Sequence, residues 1–204
     1  MIDGQALPQS FYGERACEVA RRLLGKRLVR EEGGQRISGK IVEAEAYCDS
    51  REPDLACHAS ANGGKPTTRT AVMFGPPGHA YVYFTYGMHW MFNIVTGTEG
   101  VANAVLIRAL EPLEGLELMA GRRRRRRREW TNGPAKLAQA LGIDQALNGA
   151  SLWAPDSVIW IEPGDEIADE MVAQGPRIGL GNTPEPWKSM PWRFWIKGSR
   201  WVSR

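Results

Sequence analysis

Between residues 10 and 25 the apolar side chains Ala16, Val19, Ala20, Leu23 and Leu24 fall at i, i+3, i+4, i+7 and i+8, and Gly25 follows them. That spacing gathers them on one stripe and predicts an amphipathic helix that stops at the glycine. The period then changes. Residues 26–30 and 37–47 read as a pair of strands around a Gly-rich turn at 31–35, and 48–70, rich in Asp, Ser, Pro, Gly and Asn, reads as a long loop. The stretch 79–95, His-Ala-Tyr-Val-Tyr-Phe-Thr-Tyr-Gly-Met-His-Trp-Met-Phe-Asn-Ile-Val, predicts a hairpin that turns near Gly87. Residues 101–109 read as a further strand, and 112–121 as a short helix with Leu113, Leu116 and Ala120 on one side. A second clear helix is expected over 132–142, with Pro134 near its first position and Gly142 past its end. Strand-like 157–162, the Gly-rich 177–181 and 192–203 are expected to close the fold. The pattern predicts a mixed α/β (α+β) single domain: a largely antiparallel curved sheet flanked by helices, with a protruding β-hairpin.

Composition narrows this picture. At 204 residues, with 43% hydrophobic and 24% charged positions, the chain can bury one sizeable core. No stretch has the apolar length of a membrane span, and the first ten residues lack the basic start and apolar centre of a secretion signal, so a cytoplasmic protein without membrane contacts is expected. Cys17, Cys48 and Cys57 form neither an even set nor a CxxC pair, which argues for reduced thiols rather than a disulfide framework or a zinc site. The net charge of +3 depends on an unbroken run of seven arginines, Arg122 to Arg128; without it the balance would be negative. Such a run repels itself and offers nothing apolar for burial, so a flexible solvated loop is expected over 122–128. A loop of that kind can still hold a phosphate backbone by displacing counterions.

Candidate chemistry sits on two of the predicted strands. Period-two alternation along 37–47 sends Ile41, Glu43, Glu45 and Tyr47 to one face and Val42, Ala44 and Ala46 to the other. Two carboxylates about 7 Å apart on one strand face suit water-mediated attack at a sugar carbon, though solvated acids on an open sheet would look the same. A ring beside an acid can hold a planar substrate and exclude water. In the hairpin the turn is centred on either Gly87-Met88 or Tyr86-Gly87, and both choices leave Tyr86 at or beside the tip. A large ring there gains little from folding and fits a wedge pushed between stacked bases. Tyr81 reads as an ordinary strand tyrosine, His58 alone as an incidental loop histidine, and Arg108 as a strand arginine paired with Glu43, Glu111 or another acid.

Five ordered blocks, 39–47 (GKIVEAEAY), 81–88 (YVYFTYGM), 106–117 (LIRALEPLEGLE), 132–141 (NGPAKLAQAL) and 198–203 (GSRWVS), resemble the alkylpurine (3-methyladenine) DNA glycosylase family. The resemblance runs from about Cys17 to the C-terminus. It implies an enzyme, monomeric, that slides along double-stranded DNA containing damaged purines, extrudes the lesion and hydrolyses its N-glycosidic bond without metal or cofactor. In that reading Glu45 orients and deprotonates the attacking water, and Arg108 and the backbone carbonyl of Ile178 complete the water's cage. Tyr47, His58 and Tyr83 sandwich the extruded base, and Asn93 obstructs the 2-amino group of a normal guanine. Tyr86, with Met88 beside it, fills the gap in the stack, and Lys136 touches a phosphate. Glu43 is assigned to support.

Two other classes compete. A binding module could keep the fold and the basic loop without the chemistry, which the presence of Glu45 opposes. A metal-dependent nuclease would want clustered Asp, Glu or His ligands, and the three histidines are scattered.

Overall fold

The structure, a computed structural model, describes residues 6–48 and 54–203. It contains three α-helices, α1 (Ala16–Leu23), α2 (Leu116–Arg122) and α3 (Pro134–Leu141). The strands are β1 (Arg27–Glu32), β2 (Gln35–Cys48), β3 (Ala80–Thr85), β4 (His89–Val95), β5 (Asn103–Glu114), β6 (Ile159–Glu162), β7 (Val172–Gly175) and β8 (Arg193–Ile196). All pairings are antiparallel, in the order β3-β4-β5-β2-β1-β6, with β8 joining β2 and β7. The expected mixed α+β architecture with an antiparallel sheet and a hairpin is therefore present.

The sheet is organised around β2. One edge pairs with β5 from Ser38 to Cys48, while the other edge pairs first with β1, up to Lys40, and then with β8, from Glu43 to Glu45. Two partners in succession along one edge curl the sheet, and the changeover coincides with register shifts on either side of Glu43. Gly39 is required where β2 and β5 draw close: a Cβ there would meet Leu110 Cβ at 2.9 Å.

The helices cover one face. Val19, Ala20 and Leu23 of α1 and Leu137 and Leu141 of α3 pack with Ile41, Ala44, Ala46, Ile107, Leu110, Phe92 and Ile94 in the main core. Each fully buried Leu or Ile contributes about 1.5–3 kcal/mol by removing apolar surface from water. The opposite face of β2 to β5 carries the polar residues and rings.

Several sequence expectations shift. The helix expected over 10–25 is broken: a 3-10 turn, Gln9–Gly13, precedes α1, because Glu14 and Arg15 are extended. The strand expected over 101–109 runs on through Pro112 to Glu114, so α2 begins only at Leu116, after Gly115 in the left-handed region. Leu113 is consequently exposed on the strand end, and Met119 is the residue that α2 buries. Ile41 does not share a face with Glu43: the bulge sends Ile41 to the main core and Val42 to a cluster with Ala109 and Trp201. Residues 177–181 are irregular rather than a strand, and the strand expected at 157–162 is shortened to β6. The arginine run is not a plain loop, since Arg122 ends α2 and Arg127 and Arg128 lie in a 3-10 turn. Part of the expected loop over 48–70, residues 49–53, lies outside the described residues.

Candidate active site

A single cross-strand row crosses the helix-free face: Tyr81 pairs with Asn93, Asn93 with Leu106, Leu106 with Glu45, and Glu45 with Arg193. Antiparallel register thus places residues far apart in sequence side by side on one surface. Tyr47 and Tyr83 lie one pleat away on the same face. A cavity of about 460 Å³ opens over this surface, lined among others by Tyr47, His58, Tyr81, Tyr83, Asn93 and Arg108.

Glu45 is wholly buried just behind this wall. Its Oε1 accepts from the Ile178 backbone N–H at 2.7 Å, and its Oε2 accepts from the Tyr47 hydroxyl at 3.0 Å and Arg108 Nη1 at 3.1 Å. Burial raises the Glu45 carboxyl above its ordinary value, while Arg108, the Ile178 amide and the Tyr47 hydroxyl pull the other way. Ile178 thus reaches the acid through its backbone N–H.

Arg108 settles its alternatives by pairing with both glutamates: Nε donates to Glu43 Oε1 and Nη1 to Glu45 Oε2, each at 3.1 Å. Glu111 pairs with Lys40 instead. Glu43 is wholly buried and supports this arrangement, accepting also from Arg193 Nη1 at 3.2 Å, the Ser203 amide at 2.6 Å and the Ser203 hydroxyl at 2.9 Å. A carboxylate with four donors is stable in the interior only because each desolvated lone pair is answered.

Aromatic rings line the same cavity. His58 Nδ1 lies 3.0 Å from the Tyr81 hydroxyl, and its ring meets Tyr83 edge-on at 4.4 Å. Burial, with help from the charge of Arg69, pushes His58 down to about 4, so it is neutral near pH 7. Burial likewise raises the Tyr83 hydroxyl to about 12, and the Arg69 guanidinium carbon lies 4.9 Å over its ring. Tyr81 is both a buried strand tyrosine and part of the cavity wall. Asn93 is buried, with Nδ2 donating to the Tyr81 carbonyl at 3.1 Å.

The hairpin tip overhangs the cavity rim. Tyr86 and Gly87 both have positive φ, 52° and 67°, and the Met88 amide donates to the Thr85 carbonyl at 3.2 Å, so the turn is centred on Tyr86-Gly87. A non-glycine residue held at positive φ costs on the order of 1 kcal/mol. That strain presents Tyr86 79% exposed and Met88 67% exposed. Pro134, at the start of α3, also lines the cavity. Lys136, close behind it on α3, donates to Asn132 Oδ1 at 2.9 Å.

Sequence reading missed the residues that hold the site from behind. Arg177 forks Asp54, Nη1 to Oδ2 at 2.5 Å and Nη2 to Oδ1 at 2.9 Å, and thereby fixes the strand end, the loop before His58 and the segment carrying Ile178. Ser203 and Arg193 brace Glu43. The one signal was that Arg177 and Ser203 stand in the segments closing the chain. Among the described residues no group of three or more His, Cys, Asp or Glu side chains could hold a metal ion, and no helix is long and apolar enough to cross a membrane. Cys17 and Cys48 are free thiols whose sulfurs share a hydrogen bond at 3.9 Å, with no disulfide between them.

Known proteins resemble this chain along nearly its whole length. The sequence profile of the methylpurine-DNA glycosylase family matches residues 10–200. A protein of Carboxydothermus hydrogenoformans is 48% identical over 199 residues, covering 97% of this chain and 98% of its own length. One from Myxococcus xanthus is 49% identical over 198 residues, covering 97% and 93% respectively. One from Salinibacter ruber is 44% identical over 208 residues, covering 98% and 97%. All three are provisionally named 3-methyladenine DNA glycosylases. The chain belongs to the methylpurine-DNA glycosylase family, and with that membership goes the activity class of a DNA repair glycosylase.

Proposed function

We propose that the protein turns alkylated or deaminated purines out of duplex DNA into the aromatic cavity and hydrolyses the N-glycosidic bond with a water activated by Glu45, leaving an abasic site. The observation that carries this reading is the placement of one buried carboxylate, fixed by three donors, directly behind a cavity walled by tyrosines and a neutral histidine. A carboxylate has about four acceptor positions, and the three donors leave one on Oε1 for a water proton.

In the step proposed, the water oxygen bonds to C1′, its proton passes to Glu45, and the electron pair of the breaking bond leaves with the purine. An alkylated purine that carries a positive charge departs neutral, so it requires little acid assistance, while the carboxylate stabilises the oxocarbenium character developing at C1′. Extrusion costs a few kcal/mol, and each base resting on an aromatic ring recovers about 1–3 kcal/mol. Tyr86 would occupy the vacated place in the stack with Met88 beside it, Asn93 would oppose the 2-amino group of guanine, and Lys136 would meet a phosphate at the start of α3. Tyrosine faces favour a cationic base by about 0.5–2 kcal/mol.

The test is release of free base from a duplex bearing a single 7-methylguanine, in EDTA. Wild type should release it without strand scission and without a borohydride-trapped adduct. Glu45→Gln should bind the same duplex and release base at least about a hundredfold more slowly. Unchanged release by that variant would remove Glu45 as the base, and tight binding by wild type without product would mark a binding module.

A further inference from the structure

Behind Tyr47 lies a buried stack that hydrolysis at Glu45 does not itself employ. The Arg177 guanidinium carbon sits 4.7 Å from the centre of the Tyr47 ring and 4.9 Å from the centre of the Trp192 ring. Besides forking Asp54, the guanidinium donates to the Ala46 carbonyl at 2.9 Å and the Trp187 carbonyl at 3.1 Å. The side chains of Arg177 and Asp54 are both fully buried. Tyr47 lines the cavity, whereas Arg177, Asp54 and Trp192 do not, so the ring stands between the guanidinium and whatever the cavity holds.

That order has an electrostatic consequence. A cation on one face of a ring already draws on its π density, and it repels a second cation on the other face across a region from which water is excluded. Asp54 cancels this repulsion. The other buried charges nearby are balanced too, since Glu43 and Glu45 face Arg108 and Arg193. Removing the Asp54 charge would therefore leave one uncompensated positive charge directly behind the base-stacking ring.

We propose that Asp54 is a specificity-determining residue: by neutralising Arg177 behind Tyr47, it lets the front of that ring accept a positively charged purine. The proposal rests on the reading that Tyr47 stacks on the extruded base. Asp54 touches no substrate and acts through Arg177 and Tyr47, so the decisive readout is a ratio between substrates, which a merely structural role would leave unchanged.

The experiment compares two duplexes at neutral pH under single-turnover conditions, one with 7-methylguanine, a cation within the nucleotide, and one with neutral hypoxanthine. Where the neutral lesion turns over too slowly, binding constants for both duplexes serve in place of the rates. Asp54→Asn, which keeps shape and removes charge, should lower the cationic-to-neutral ratio on the order of tenfold. Arg177→Gln should raise that ratio. Equal losses on both duplexes in a folded variant would overturn the proposal, as would failure of both single variants to fold, which would make the pair a structural clamp alone. Wild type that releases neither base would instead sink the underlying reading of the site, a result distinguishable from an unmoved ratio in an active enzyme.

Discussion

His58 shows at the scale of one residue how packing decides protonation. Its ring is enclosed by Tyr81 and Tyr83, and burial together with Arg69 lowers its pKa to about 4. A histidine whose folded pKa lies below its unfolded value takes up protons in the unfolded chain first, so acidification favours unfolding. The penalty begins near the ordinary value of about 6.5, and it grows as pH falls towards 4, reaching on the order of 3 kcal/mol. Denaturant unfolding of wild type and His58→Asn at pH 7 and about pH 4.5 should therefore show a smaller acid loss in the variant; parallel losses would mean that His58 titrates normally. The sequence marked this histidine only by resemblance, because nothing in a lone loop His reveals what encloses it. Glu45, Tyr47 and Arg108 were more legible, since period two alone sends the first two to one strand face. Asp54 and Arg177 were not, because their partnership spans 123 positions and exists only once the sheet has curled.

At the scale of elements, the hairpin was legible down to its tip, since a glycine between aromatic arms admits few turns. Its centre was not, because Tyr86 adopts a positive φ that propensity would have assigned to glycine alone. The bulge beside Glu43 was invisible to simple alternation, and it misplaced Ile41 while leaving Glu43 and Glu45 together. The arginine run offers nothing apolar to the core, yet it is anchored where a flexible loop was expected. Arg122 pairs with Glu32, Arg123 donates to Gln139 Oε1 at 2.6 Å, and Trp130 donates to the Arg125 carbonyl at 2.9 Å. Arg127 donates to the Pro112 carbonyl at 3.2 Å, which leaves Arg124, Arg125, Arg126 and Arg128 exposed with neither a side-chain hydrogen bond nor a carboxylate at ion-pair distance among the described residues. Four unneutralised guanidinium groups on a braced segment form a ridge suited to phosphates. Replacing all four with Gln should weaken duplex binding alike with or without a lesion. It should also reduce the slope of log K against log salt by about 0.9 for each phosphate that the variant no longer neutralises. Fluorescence anisotropy over a salt series measures this, and an unaltered slope would assign the ridge to solvent.

Across the whole molecule, one sheet separates two tasks. Its helix-covered face supplies the hydrophobic core, and its other face holds the cavity and the buried charges, with neighbouring residues of β5 alternating between them: Ile107 in the core, Arg108 at the site. The architecture was legible because each face leaves its own pattern in the strands. The brace from Ser203 to Glu43, 160 positions apart, was not, because polar closure across that distance follows from topology rather than local spacing. The division predicts that stability and chemistry can be perturbed separately. Ile107→Ala empties volume from a fully buried site and should cost about 2–5 kcal/mol in urea unfolding. Its effect is transmitted through weakened helix packing rather than through the donors on Glu45, so the single-turnover rate of the folded variant should stay at the wild-type value. Glu45→Gln should show the reverse pattern, an intact fold with release slowed at least about a hundredfold. A fall in rate for Ile107→Ala under fully folding conditions would mean that the two faces are mechanically coupled, with core packing setting the position of Arg108 and, through it, of the carboxylate.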